Sequence, residues 1–412
     1  MEYDLVFEGG GAKGIAFAGA LRSFERRGHI PRRVIGTSAG SITACLVAAG
    51  YSSNENLAAI SEKLPDGRAR FASFMDTPTI YDDVIVRDQL GYWLRTELDN
   101  PQVPNLIEPV VDNLIESLVK RDLIRHMLSL LLWGGWYAGD VFIEWLQEKL
   151  SAGGRDLADT NLQEFYHKTW RDLSVVASDL TGNEMLVLNH RTAPALPTVW
   201  AVRMSMGCPF AWQEVVWKSE WGTYRGRDLA GHRIVDGGLL SNFPVSLFVC
   251  SDENIDEIMG VGSQSKNVIG LLIDETIEVP GAGSPPEKSS PGFLEHVDLL
   301  EAMILRIHGL ADTVLSAHDK SILTAYQEMV CRLPAKGIGT MEFNMTPQRM
   351  DAVFSAGEAA MDAFLDAASA PPPVLGAPVG SSASRILGFS QSPRLPVARL
   401  QPVSPPSEPL GL

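Results

Sequence analysis

Ser38 stands at the centre of Gly36-Thr37-Ser38-Ala39-Gly40, a short stretch with glycine at both ends. Val34 and Ile35 run into it with β character, and the apolar run from Ile42 to Ala49 leaves it as a helix. A strand that turns sharply into a helix drives the apex residue to positive φ and brings neighbouring backbones together. The flanking positions must then be almost bare, as glycine and alanine are. The apex hydroxyl stands clear at a helix N-terminus, where amides and the helix dipole favour developing negative charge. That is the chemistry of a nucleophile elbow in acyl transfer. The same letters also describe a glycine-flanked serine that merely caps a buried helix.

Two other stretches bear on the choice. Gly9-Gly10-Gly11-Ala12-Lys13-Gly14 is formally G-x-G-x-x-G, set between the strand Tyr3–Phe7 and the helix Ile15–Arg27. A dinucleotide fingerprint would add an acidic residue at the end of the second strand, to hold a ribose. The elbow occupies that place instead. A phosphate loop fails as well, because Ile15 follows Gly14 where Lys-Ser/Thr is required. What remains is a set of backbone amides at a helix start, suited to an oxyanion at roughly 3–4 kcal/mol per donor. Lys13 could add a nearby positive charge or face solvent.

A serine hydroxyl is a poor nucleophile without a base to take its proton. Asp236-Gly237-Gly238 follows the strand Arg233-Ile234-Val235 and sets a carboxylate at a strand end. An isolated Asp-Gly pair is more often a plain turn. A Ser-Asp-His order would place a histidine after Asp236. His296, His308 and His318 fall in a later helical region, and His232 opens the strand that leads to Asp236. A Ser38–Asp236 dyad without histidine fits better.

The elements that must position these groups read as strand, glycine turn, helix, strand, elbow, helix over the first fifty or so residues. That is the layout of a parallel α/β sheet. Ser52–Asp99 is irregularly helical, and Leu114–Trp133 is apolar-rich and helical. Asp140 is the expected N-cap of a helix over Val141–Leu150. Leu173–Ala177 and Glu184–Leu188 read as a hairpin, and Val199–Met206 as a short helix. Val268–Ile273 is one more strand, Phe293–Val330 is helical, and Pro347–Ala368 is an amphipathic helix.

The chain has 412 residues, 45% hydrophobic and 20% charged, enough for a large core. A net charge of −16 with no basic run argues against nucleic acid. The four cysteines are scattered without metal-ligand spacing, so neither metal nor cofactor is expected. No signal peptide or membrane-spanning run is read, and the expected place is the cytoplasm or the membrane surface; signal-less secretion would leave no trace. Leu114–Trp136 could be a lid or interfacial helix, or an ordinary packed one. Trp200, Trp212, Trp217 and Trp221 suit an acyl groove or a core equally.

Taken together, Glu8–Gly14, Gly36–Gly40 and Asp236–Gly238, in this order, resemble the three signatures of patatin-like phospholipases. Ala201–Phe210 and the turn Ser178–Gly182 are similar to segments of the same family. The resemblance covers about Tyr3 to Val249, and Lys13 stands where many members carry arginine. It implies a three-layer α/β fold with a mostly parallel sheet. It also implies Ser38 as nucleophile, Asp236 as general base, and the Gly9–Gly14 turn, Gly10 and Gly11 above all, as oxyanion hole. The substrate would be a phospholipid or other acyl lipid, cleaved through an acyl-enzyme, with peripheral membrane contact and no assigned activating partner. A non-catalytic lipid-binding protein on the same scaffold is the alternative. The expected organisation is a catalytic domain over 3–249, a mainly helical region over 250–369, and a disordered Pro/Ser-rich tail over 370–412.

Overall fold

The computed structural model describes residues 1–78, 122–250, 253–262, 264–283, 326–340 and 342–369. Among these, the main sheet contains β1 (Glu2–Phe7), β2 (Ile30–Thr37), β3 (Asp172–Asp179), β4 (Glu184–Leu188), β5 (Val215–Val216), β6 (Arg233–Asp236), β7 (Val268–Glu278) and β8 (Val330–Lys336). The order across it is β8-β7-β1-β2-β3-β6-β5, with β4 paired to β3. From β8 to β3 all neighbours are parallel. Beyond β3 the pairing turns antiparallel. The helices that position the site are α1 (Ile15–Arg26), α2 (Ala39–Ala48), α3 (Asp122–Trp133), α4 (Asp140–Ser151), α5 (Thr198–Met206) and α6 (Pro347–Ser369).

Successive strand residues point to opposite faces, and both faces are buried. Leu5, Phe7, Val34, Val175 and Ala177 join one apolar core with α1 and α2. Val6, Ile35 and Val176 join a second core with Phe243, Leu247 and Phe248. The sheet is therefore the middle of three layers, as the sequence resemblance implied.

β2 is longer than the two apolar residues that announce it. It begins at Ile30 and runs through Pro31, because Glu2 and Tyr3 of β1 already pair with Ile30 and Pro31. Asp140 does not cap α4. Gly139 holds the cap position in the left-handed region (φ 81°), and the Asp76 carboxylate accepts the amides of Gly139, Asp140 and Val141 at 2.6, 2.8 and 3.1 Å. A carboxylate at a helix N-terminus meets both the orphan amides and the positive end of the dipole. Here it arrives from a loop far away in sequence.

Residues 250–369 contribute strands as well as helix. Val330, expected to end a helix begun at Phe293, starts β8 instead; residues 293–325 lie outside the described set, as do Leu114–Arg121 and the tail from 370. α6 packs on α1 at glycine contacts. A Cβ on Gly19 would lie 1.9 Å from the Phe354 carbonyl oxygen, and one on Gly357 would lie 2.2 Å from that of Ala16. Beside these contacts, Asp362 of α6 accepts from Arg26, Arg27 and Ser23 of the α1 side. These bonds, those of Arg26 and Ser23 foremost, hold its carboxyl well below the usual carboxylate range. No helix among the described residues is long and apolar enough to cross a membrane.

Candidate active site

The elbow is built by backbone crowding. Ser38 sits at φ 53°, ψ −125° between β2 and α2. A Cβ on Gly36 would lie 2.2 Å from the Gly40 carbonyl oxygen. A Cβ on Gly40 would lie 2.3 Å from the Phe7 oxygen, so the turn is pressed against the end of β1. Only glycine fits either position. Ser38 makes no side-chain cap bond to α2; the hydroxyl that ties to the turn is that of Ser41, which donates to the Ser38 carbonyl at 2.6 Å. The helix-capping reading of Ser38 thus loses its basis. The Ser38 amide donates to Ser205 Oγ on α5 at 3.0 Å, and Thr37 Oγ1 donates to the Ser241 carbonyl at 3.0 Å.

Asp236 ends β6 and is 2% exposed. Its amide donates to the Gly207 carbonyl, and its Oδ1 accepts the Gly238 amide at 2.8 Å. Gly237 is required because a Cβ there would lie 2.4 Å from the Val176 carbonyl oxygen. Sheet register brings the two motifs to one level. Thr37 of β2 lies opposite Val176 of β3, and Asp236 of β6 lies opposite Ala177. Thr37 and Asp236 thus stand one rung apart on either side of β3, and Ser38 follows Thr37 directly where β2 ends.

Gly9 and Asn242 fill the space beside them. A Cβ on Gly9 would lie 3.1 Å from Ser38 Cβ and 2.2 Å from Asn242 Oδ1. The same Asn242 oxygen is 3.2 Å from where a Gly238 Cβ would be. Asn242 Nδ2 donates to the Gly9 carbonyl and to Glu8 Oε1, while Glu8 Oε2 accepts the Ile273 amide of β7. One asparagine thus ties the early glycine turn to the Asp236-Gly-Gly corner. Its position four residues beyond Gly238 gave no signal in the sequence.

Within the glycine turn the amides are not equivalent. Gly9 donates to the Asn242 carbonyl, Ala12 to that of Thr340 and Lys13 to that of Gly10. Those three are spent inside the fold. Gly11 adopts φ 56°, and a Cβ there would lie 2.3 Å from the Thr340 oxygen. Lys13 does not face solvent: it is 3% exposed, ion-paired to Glu275 and bonded to Thr340 Oγ1 at 2.9 Å. Its charge is committed to Glu275 of β7.

Cys208 is buried beside the corner. Burial first, and the Asp236 charge second, push its thiol well above the ordinary value, so it stays a protonated packing residue. The described histidines serve elsewhere. His232 Nδ1 meets Asp179 Oδ2 at 2.7 Å, and His126 Nδ1 meets the Trp136 carbonyl at 2.7 Å. His296, His308 and His318 lie outside the described residues. Trp212, Trp217 and Trp221 are buried in the core, and Trp200 packs against it partly buried. On α3, Met127 and Leu131 are exposed while Trp136 stacks on His126.

The family model of the patatin-like phospholipases matches residues 5–249, more than half of the chain. The chain belongs to that family. Membership gives this patatin-like protein lipid-hydrolase chemistry in general terms. It is 28% identical over 377 residues to the uncharacterized protein YqhO of Bacillus subtilis (strain 168), spanning 89% of this chain and 98% of that one. Among solved structures it is similar to VipD from Legionella pneumophila, with 18% identity, a TM-score of 0.41, and coverage of 89% of this chain and 67% of the other. It is also similar to the type III effector protein ExoU, with 15% identity, a TM-score of 0.37, and coverage of 89% and 53%.

Proposed function

We propose that this patatin-like protein is a lipid acyl hydrolase of phospholipase A type, working through a Ser38–Asp236 dyad. The observation that carries the reading is the convergence of the ends of β2 and β6 on neighbouring rungs of β3. The elbow serine and the strand-end aspartate sit on either side of β3, with Gly9 against Ser38 and Asn242 joining both corners. Asp236 accepts the Ser38 proton as Oγ attacks the ester carbonyl. The amides of Gly10 and Gly11 receive the oxyanion. Collapse expels the alcohol, which takes the proton from Asp236 and leaves an acyl-Ser38. Water, deprotonated by the same carboxylate, then releases the fatty acid and restores the hydroxyl. The substrate is a phospholipid or a related acyl ester met at a membrane surface, and no metal or cofactor enters any step.

Fatty-acid release from mixed phospholipid vesicles tests this with the wild type, Ser38→Ala and Asp236→Asn. Each variant should lose about 10⁴-fold, as removing a member of a nucleophile–base pair does elsewhere. Undiminished release in either variant sinks the assignment. Labelling of Ser38 by a fluorophosphonate separates an enzyme from a lipid binder on the same scaffold, since a binder leaves that serine unreactive.

A further inference from the structure

The glycine turn leans on residues that the family match over 5–249 does not reach. On one side stands β7. The Glu8 amide donates to the Leu271 carbonyl at 3.2 Å, and the Ile273 amide donates to Glu8 Oε2 at 2.6 Å. A Cβ on Gly10 would lie 3.0 Å from Ile273 Cγ1, so Ile273 closes that face of the turn. On the other side stands Thr340, on the segment between β8 and α6. Its carbonyl oxygen accepts the Ala12 amide at 2.9 Å and would lie 2.3 Å from a Cβ on Gly11. Its Oγ1 accepts from Lys13 Nζ at 2.9 Å.

Thr340 thus grips two consecutive residues, Ala12 and Lys13, with two different groups. A peptide unit is planar, so fixing the Ala12 amide also fixes the plane that it shares with Gly11. Gly11, at φ 56°, is the kind of residue that would otherwise wander most. Lys13 gives the grip a reason to be tight. Its ammonium is buried, whereas the side chain of its ion-pair partner Glu275 is 68% exposed. A buried cation is costly without its partners, and the Thr340 hydroxyl is the partner on the segment after β8. That segment is itself anchored. Glu342 Oε2 accepts the Gly339 amide at 3.0 Å, and the Glu342 carboxylate accepts from Arg349 Nε and Nη2 at 2.6 and 3.0 Å. Arg349, buried at the start of α6, also donates to the carbonyls of Ala282 and Gly337.

We propose that Thr340 is a positioning residue for the reaction. It acts through the Ala12 amide and Lys13, and sets the angle at which the Gly10 and Gly11 amides meet the oxyanion. The inference rests on the hydrolase reading given above. Donors stabilise a transition state when they are aimed beforehand at the place where charge develops. Such aim changes the rate of the chemical step and not the strength with which the ester is held. The region beyond residue 249 then completes the site that the family-matched residues begin.

The test measures kcat and KM for p-nitrophenyl esters with the full-length wild type, Thr340→Val, Thr340→Ser, Lys13→Met and the double variant Thr340→Val with Lys13→Met. Valine keeps the shape and backbone of threonine and removes the side-chain acceptor. Thr340→Val should lower kcat by about tenfold or more with KM within about twofold, the pattern of an interaction felt only in the transition state. Thr340→Ser keeps the acceptor and should recover most of the rate. Lys13→Met removes the same bond from its other end, so the double variant should be no slower than the slower single one. Melting curves establish that each variant is folded. The rate of fluorophosphonate labelling at Ser38 should fall in step with kcat, because that adduct also places an oxygen in the oxyanion position. Lys13→Met carries the test alone if Thr340→Val does not fold. A wild-type kcat in either folded single variant, or losses that multiply in the double variant, overturns the inference and leaves the hydrolase reading standing. A wild type that neither labels nor releases nitrophenol overturns that reading and the inference with it.

Discussion

Replacing Gly9 with alanine should damage stability and chemistry in separable ways. The new Cβ would lie 2.2 Å from Asn242 Oδ1 and 3.1 Å from Ser38 Cβ. Ordinary carbon contacts are about 3.5–4.0 Å, so the asparagine amide must retreat by more than about 1 Å. Retreat breaks its bonds to the Gly9 carbonyl and Glu8 Oε1, at 3.2 and 3.3 Å. Two hydrogen bonds of about 1 kcal/mol each put the loss near 2 kcal/mol. Asn242→Ala alone removes the same two bonds and should cost a similar amount. The double variant loses them once, so the two changes should fall short of additivity by about 1–2 kcal/mol. Activity should not follow. The pressure on Ser38 remains after Asn242 is trimmed, and a misplacement of about 1 Å near reacting atoms costs on the order of 10²-fold. Urea unfolding and ester turnover of the four proteins in the cycle measure both. Additive stability losses within about 0.5 kcal/mol would refute the bridging role assigned to Asn242. Recovery of turnover in the double variant would refute the contact between Gly9 and Ser38.

Asp76→Ala should lower stability by about 1–2 kcal/mol, because three amides of the α4 start lose their acceptor. Asp140→Ala should cost less, and calorimetric melting ranks the two. Asp362→Asn should destabilise at neutral pH, where the wild-type carboxylate is ionised and held by Arg26, Ser23 and Arg27. Its folded value lies below the ordinary 3.8, so that contribution is fully present above pH 3.8 and fades as pH falls through the folded value; the gap between the two proteins in urea should close in acid. A fragment ending at residue 249 should be insoluble, since β7 covers the edge of β1 and α6 covers α1. Removal of residues 370–412 should leave the melting temperature unchanged; soluble yield checks the first truncation and a thermal scan the second.

The first motifs were legible because their chemistry is local. Gly36, Ser38 and Gly40 are dictated by a turn that a handful of consecutive residues must make, and Gly9 to Gly14 by the turn before α1. Strand and helix periods around them gave the parallel α/β layout for the same reason. Where a neighbour far along the chain decides the outcome, the sequence misleads or is silent. Val34 and Ile35 alone announce β2, yet β1 pairs with it from Ile30 onward. Asp140 reads as a cap, yet Asp76 supplies the acceptor. Lys13 reads as undecided, yet Glu275 and Thr340 claim it.

By itself, the sequence determined which residues can do chemistry and which local turn each requires, since bond geometry and steric crowding act over a few residues. Tertiary structure alone decided that the ends of β2 and β6 meet on neighbouring rungs of β3, and that Asn242 joins the glycine turn to the Asp236-Gly-Gly corner. Those facts depend on strand order and register, and on contacts between segments hundreds of positions apart, which no local pattern encodes.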